Sequence, residues 1–228
     1  MKASKFVSVI GGAAIALIVA PFSHAASVKF TESFEDPNRS SGWGIYQSVG
    51  ENGEWTTTEG PGIEIQTSGV VVNAFDGNQY VELDSRSNSS MTRNIDLLTG
   101  TYEVTWYYQP RTSTANDNLI TLTVSPETQP VNLNVSNDSR NGVRQQDTDW
   151  ELVTSEFTVV QAATYSLTFS AIGPDSLSNS YGGFIDLVTL TDTTQGRGTS
   201  PVPLPAAAWL FLSVLGAGGL LRRAKGQR

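Results

Sequence analysis

Cysteine is absent from all 228 residues, so no disulfide, thiolate nucleophile or cysteine-ligated metal is available. Histidine occurs once, as His24, inside a segment expected to be removed. The remainder has no imidazole, which excludes Ser-His-Asp catalysis and ordinary zinc sites. Lysine is nearly as scarce: Lys29 is the single lysine between the two terminal segments, leaving little for Ser-Lys chemistry. The termini (Lys2, Lys5, Arg222, Arg223, Lys225 and Arg228) take six of the 14 Lys and Arg, while all 22 Asp and Glu lie between them, giving the middle a formal charge of −14. Such a charge favours solubility and cation binding and argues against nucleic acid or anionic membrane surfaces as partners. The chemistry left is that of carboxylates and hard oxygen ligands.

The two ends carry targeting patterns. Lys2 and Lys5 precede an uncharged apolar run at 6–20, then Pro21 and Ser23-His24-Ala25. This charged, apolar and small-residue order is that of a secretory signal peptide, residues 1–25, cleaved after Ala25. The run is shorter than the ~20 residues of a spanning helix. At the other end Ser200-Pro201-Val202-Pro203-Leu204-Pro205 leads into an apolar stretch at 206–221 and a basic tail at 222–228. Sixteen residues at ~1.5 Å each reach about 24 Å, a short transmembrane helix that Arg222 and Arg223 extend by snorkelling. The basic cluster marks the cytoplasmic side, which places everything before the helix outside the cytoplasm. Residues 192–205, rich in Thr, Gly and Pro, read as a flexible tether.

The run Val202-Pro203-Leu204-Pro205-Ala206-Ala207-Ala208-Trp209, with its apolar continuation and Arg222-Arg223-Ala224-Lys225, resembles the PEP-CTERM sorting signal of Gram-negative bacteria. Leu204 stands where the name-giving Glu would be, as in a Val-Pro-Leu-Pro-Ala variant. With Pro203, Pro205, Arg222 and Arg223 as the matching positions, the resemblance implies an exosortase as processing partner, after the secretion machinery, in organisms that make extracellular polysaccharide. The protein would be held in the membrane before processing, and lie at the cell surface or in the matrix after it.

Between the ends, residues 26–191 fit one domain. No sustained 3.6-residue period occurs there, whereas period-2 segments recur between turn residues. Tyr102, Val104, Trp106 and Tyr108 alternate with Glu103, Thr105, Tyr107 and Gln109, the clearest half-buried strand. Strands are likewise expected near 30–34, 62–66, 70–72, 79–84, 119–124, 131–135, 150–159, 165–169 and 184–190. Polar loops are expected at 36–42, 110–118, 136–149 and 173–183. The fold class is therefore all-β: an antiparallel jelly-roll β-sandwich of about ten strands.

Ser33-Phe34-Glu35, the segment Asp76-Gly77-Asn78-Gln79-Tyr80-Val81-Glu82-Leu83-Asp84, Thr101 to Tyr108 with Arg111 after it, and Gly183-Phe184-Ile185-Asp186-Leu187-Val188 resemble the galactose-binding-like jelly rolls of carbohydrate-associated domains. The resemblance implies a carbohydrate-binding module rather than an enzyme. It also implies a structural calcium ion tying the first strand to the last, at Glu35 and Asp186; Asp84 and the 173–176 loop are weaker candidates.

Sugar recognition needs aromatic faces beside amides and carboxylates. Trp43, Tyr46 and Trp55 in a Gly-rich region, Tyr181 in an Asn/Ser/Gly loop, and Tyr107 on the strand face opposite Trp106 are the candidates. The competing reading makes Trp43 and Trp55 end-closures of the core, where Trp106 and Trp150 also belong. Glu82-Leu83-Asp84 sets two carboxylates on one strand face roughly 7 Å apart, within the ~6.5–9.5 Å of inverting glycosidases. The laminarinase-like pattern needs a third carboxylate where Ser87 stands. Three functions follow: a surface or matrix protein that binds or organises extracellular polysaccharide, a structural or adhesive protein with protein partners, and a secreted glycoside hydrolase.

Overall fold

The computed structural model describes residues 26–114, 116–127, 136–140, 142, 149–173 and 181–194. The signal peptide, the sorting motif with Pro203 and Pro205, the apolar segment, the basic tail and the strand expected at 131–135 lie outside the described residues. Among the described residues no helix is long and apolar enough to cross a membrane.

The described strands are β1 (Ser27–Glu32), β2 (Trp43–Tyr46), β3 (Ser48–Val49), β4 (Trp55–Glu59), β5 (Ile63–Thr67), β6 (Gln79–Glu82), β7 (Ser90–Leu97), β8 (Gly100–Gln109), β9 (Ile120–Pro126), β10 (Ser136–Arg140), β11 (Glu151–Val159), β12 (Ala163–Ala171) and β13 (Phe184–Asp192). They form two antiparallel sheets. One runs β11-β8-β13-β6-β5-β2, with β1 also on β13; the other runs β10-β9-β12-β7-β4-β3. The sheets close on one core, as the alternation requires: Tyr102, Val104, Trp106 and Tyr108 of β8 face Tyr165, Leu167 and Phe169 of β12. Trp106 meets Phe169 edge-on with ring centroids 5.1 Å apart. Trp55 fills the other end, against Phe30, Phe34 and Phe169 at 6.2, 6.2 and 5.7 Å.

The all-β, two-sheet sandwich is thus found, with more strands than expected. β7 escapes a reading by alternation because Arg93 occupies a core-side phase between Met91 and Ile95. Its guanidinium lies 3.9 Å over the Phe30 ring and pairs with Glu54 at 3.0 Å, so the charge reaches the surface while the stem packs. β4 carries Trp55 as its one large apolar residue. β10 occupies 136–140, expected as loop. Conversely Val70-Val71-Val72 is not a strand: it is a turn, closed by Val70 N donating to the Thr67 carbonyl and Gly69 N to the Val72 carbonyl.

The outer faces differ in kind. On the six-stranded sheet, Thr56, Thr92, Thr168 and Thr123 stand opposite one another across four strands, with Ser90, Ser170 and Thr121 in the next row. The outer face of the seven-stranded sheet is covered instead. The 68–76 segment folds over it, and three side chains hold that segment and its continuation by backbone N–H groups. The Tyr80 hydroxyl accepts from Val71 N and Val72 N (both 3.2 Å). Asp186 Oδ2 accepts from Phe75 N (2.8 Å) and Asp76 N (3.0 Å). Glu35 Oε1 accepts from Asn78 N (2.7 Å) and Gln79 N (2.8 Å). Asp186 has room there because β13 changes partner: Phe184 and Ile185 pair with β6, Val188 onward with β1, and the register shifts between them at Leu187 (φ 43°).

Candidate ligand-binding site

Cross-strand register assembles the site on this covered face. Glu64 of β5 stands opposite Glu82 of β6, Gln66 opposite Tyr80, and Trp43 of β2 opposite Gln66. On the other flank Phe184 stands opposite both Glu82 and Gln109. Glu64, Gln66, Tyr80 and Glu82 are all buried, so their polar atoms must find partners within the protein. Gln66 Nε2 donates to Glu64 Oε1 (2.8 Å) and Glu82 Oε2 (2.6 Å), and the Tyr80 hydroxyl donates to Gln66 Oε1 (2.8 Å). Gly182 N donates to Glu82 Oε1 (2.8 Å), and the Arg111 guanidinium pairs with Glu82 Oε2. Burial pushes the Glu82 carboxyl up to about 8 against the pull of Arg111 and the Gly182 N–H. Burial also raises Glu64, opposed by its bond to Gln66.

The network fixes Arg111. Its backbone N donates to Asn118 Oδ1 (2.8 Å), its guanidinium is held by Glu82, and it lies 4.3 Å over the Tyr181 ring. Tyr181 remains 44 % exposed. On the same face a cavity of about 350 Å³ is lined by Val71, Val72, Asn73, Gln109, Asp149 and Trp150. The Trp150 indole forms one wall, donating from Nε1 to the Asn73 carbonyl (2.9 Å) and meeting Tyr80 edge-on at 6.0 Å. An immobilised cation and an exposed phenol ring thus lie on the same sheet face as a cavity lined by an indole and amide groups, the mixture by which proteins hold polar ligands with flat apolar faces.

The expected site residues are distributed unevenly. Trp43 is 53 % exposed on the same outer face, at the β2 edge. Tyr181 lies in the site as described. Tyr107 points outward as expected, but Phe75 stacks on its ring at 3.4 Å and 16°, covering one face. Tyr46 packs against the core, and its hydroxyl accepts from Arg39 Nη1 at 2.7 Å. Trp55 is a correction: it is fully buried among three phenylalanines and presents no face to a ligand. Trp150, assigned to the core, is instead only half-buried and forms the cavity wall. Glu64, Gln66, Gln109 and Asn73 were not singled out from sequence. The first three sit on the polar side of alternating strands, a pattern that reads as solvent-facing.

The expected calcium pair does not fit a cation in this arrangement. Asp186 has Oδ2 occupied by two backbone N–H groups and Oδ1 by Leu187 N (2.7 Å), and Glu35 Oε1 is likewise taken. Burial raises Asp186 to about 7 against those same N–H bonds. Both carboxylates serve as anchors for the 75–79 segment. Among the described residues no three Asp, Glu, His or Cys side chains gather around one point. Nor does the Glu82–Asp84 pair offer an acid and a base to a substrate, since Glu82 is buried with both oxygens engaged.

No protein-family model matches the chain, and no curated protein matches it. Solved structures resemble it at low identity. TmCBM61, in complex with β-1,4-galactotriose, is 18 % identical with a TM-score of 0.45, over 70 % of this chain and 94 % of that one. The CBM22-2 xylan-binding domain of Paenibacillus barcinonensis Xyn10C is 14 % identical with a TM-score of 0.46, over 72 % and 99 %. The K2 cleaved adhesin domain of Lys-gingipain is 15 % identical with a TM-score of 0.44, over 71 % and 96 %.

Proposed function

We propose that the sandwich is a non-catalytic polysaccharide-binding module, exported through the inner membrane and released to the surface or matrix when an exosortase acts on the C-terminal signal. The observation that carries the binding reading is the buried Glu64–Gln66–Glu82–Arg111 network. It holds Arg111 against the exposed Tyr181 ring on the face that also bears the Trp150 cavity. A site whose polar groups are fixed before the ligand arrives loses less entropy on binding. Sugars suit it because they present hydroxyls at their edges and CH groups on their faces. The export reading is supported by the two terminal sequence patterns.

Affinity electrophoresis of the protein through gels containing soluble polysaccharides tests the binding, with β-1,4-galactan and xylan first because the similar structures above include one holding β-1,4-galactotriose and a xylan-binding domain. Retardation by at least one glycan, lost in Tyr181→Ala and Trp150→Ala, is the expected result. No retardation by any glycan, with capture by a protein partner instead, would favour the adhesive reading. Intact mass of protein recovered from cells reads both terminal cleavages at once.

A further inference from the structure

A second site lies at the end of β6. Asp84 follows Leu83 where the chain turns towards β7, bridged to Asn88. It is 4 % exposed, and its Oδ1 has no hydrogen-bond partner. A carboxylate so placed is ordinarily paired or bound to metal. No lysine or arginine forms a salt bridge with it among the described residues; the negative charge of Asp117, itself buried, and the positive charge of Arg111 both act on it.

Oxygen atoms from two loops, 84–88 and 116–118, converge beside Gly173 of a third. A methyl group placed on Gly173 would lie 3.3 Å from Asn88 Oδ1, 3.6 Å from Asp84 Oδ2 and 3.8 Å from the Asn116 carbonyl oxygen. Glycine leaves that point open. Asn88 is held in place for the task, donating from Nδ2 to the Gly173 carbonyl (2.9 Å) and accepting at Oδ1 from Gly173 N (3.0 Å). Asn116 adopts φ 70°, a left-handed turn conformation, and its carbonyl oxygen lies beside the same point. A carboxylate, an amide oxygen and a main-chain carbonyl are hard oxygen donors of the kind calcium takes.

We infer that Asp84, Asn88 and the Asn116 carbonyl hold a calcium ion beside Gly173. The ion would pin the 84–88, 116–118 and 173 loops together. It would also act next to the proposed binding face, because Gly182, which donates to Glu82, packs against Asp84. The inference does not depend on glycan binding and differs in every ligand from the Glu35–Asp186 pair.

Calorimetric titration of the chelator-stripped full chain with calcium chloride, with magnesium chloride as control, tests it. The expected result is one calcium per chain with Kd of about 10⁻⁴–10⁻³ M, the range of extracellular calcium modules, and weaker magnesium binding. Asp84→Asn, which keeps shape and removes charge, should weaken binding by about tenfold or more, since affinity follows ligand charge. Gly173→Ala, which puts a methyl 3.3 Å from Asn88 Oδ1, so that Asn88 must give by a few tenths of an ångström, and at ordinary contact with the other two oxygens, should do the same. Asp96→Asn, exposed on the six-stranded sheet, should leave binding unchanged. The inference is overturned if the stripped chain takes up no calcium, or if Asp84→Asn and Gly173→Ala bind as the parent does. It is equally overturned if magnesium binds as well and Asp96→Asn weakens binding as much, which would show only diffuse attraction to the acidic chain.

Discussion

Replacing Arg111 by Ala tests whether the network beneath the proposed binding face works as a unit. Glu82 is wholly buried and would keep the Gly182 and Gln66 donors but lose its one cation. Removing one partner of a buried pair costs about 3–5 kcal/mol when the other must stay charged. Here the carboxyl can escape by taking a proton, since burial already places it near 8, so at neutral pH the loss should be about 2 kcal/mol, near that of a hydrogen bond to a charged group. For a domain of this size that is a fall in Tm of about 4–8 °C. The pH dependence carries the sharper signature. Glu82 ionises near 4.5 in the unfolded chain and near 8 in the folded one, so between those values the unfolded state holds fewer protons and stability falls as pH rises. Without Arg111 the folded value moves higher still. Parent and variant then decline in parallel below pH 8, while above it the variant alone continues to lose about 1.4 kcal/mol per pH unit. In a Glu82→Gln background Glu82's part of the slope disappears, while Asp186, raised to about 7 by burial, keeps its own, and Arg111→Ala should cost no more than about 1 kcal/mol of packing. Urea titrations of the four proteins at pH 6, 8 and 9 measure the coupling. Equal costs of Arg111→Ala in both backgrounds at pH 9 would refute the claim that Arg111 is there to hold Glu82.

The two tryptophans with exchanged roles should separate cleanly: Trp55→Ala should cost about 3–5 kcal/mol by urea titration, whereas Trp150→Ala should abolish glycan retardation at a cost nearer 1 kcal/mol. Asp186→Ala should leave Phe75 N and Asp76 N without their acceptor, destabilising the fold by about 1–3 kcal/mol, with faster amide hydrogen exchange at 75–76 as the readout. Thr92→Val and Thr168→Val, on the hydroxyl rows of the opposite face, should change stability by less than about 0.5 kcal/mol and leave glycan retardation intact. A loss of retardation there would move the binding face to the six-stranded sheet.

What the sequence disclosed and what it hid follow from one property of β-structure. Alternation says which side chains share a face, and it says so reliably where one face is apolar throughout, as in β8 and β12. It fails where a single charged residue takes a core-side position, as Arg93 does in β7, because the length of the arginine stem is invisible to a polar-apolar count. It also cannot say whether the polar side meets water. Glu64, Gln66 and Glu82 look solvated because their neighbours Ile63, Ile65, Val81 and Leu83 occupy the core. They are buried because the 68–76 segment, Trp150 and Gly182 close over them, and these come from distant parts of the chain.

The Val70-Val71-Val72 run contains the clue to that closure. Three consecutive apolar residues in a short loop have no place in an alternating strand paired only on one face, and Val72 instead joins Tyr80 and Phe184 in a small apolar cluster on the sheet's outer side, with Trp150 packed against it. The cluster supplies the burial that holds the loop down, and that burial is what obliges Glu64, Gln66 and Glu82 to satisfy one another. A domain with no cysteine and one lysine has few other means of fixing a loop across a sheet. It uses backbone N–H groups as cations are used elsewhere, giving them to Tyr80, Asp186 and Glu35 in turn. The acidity that looked like a calcium signature at Glu35 and Asp186 is in this way spent on the main chain, and Asp84, a buried carboxylate whose Oδ1 has no hydrogen-bond partner, is where a cation has a place to go.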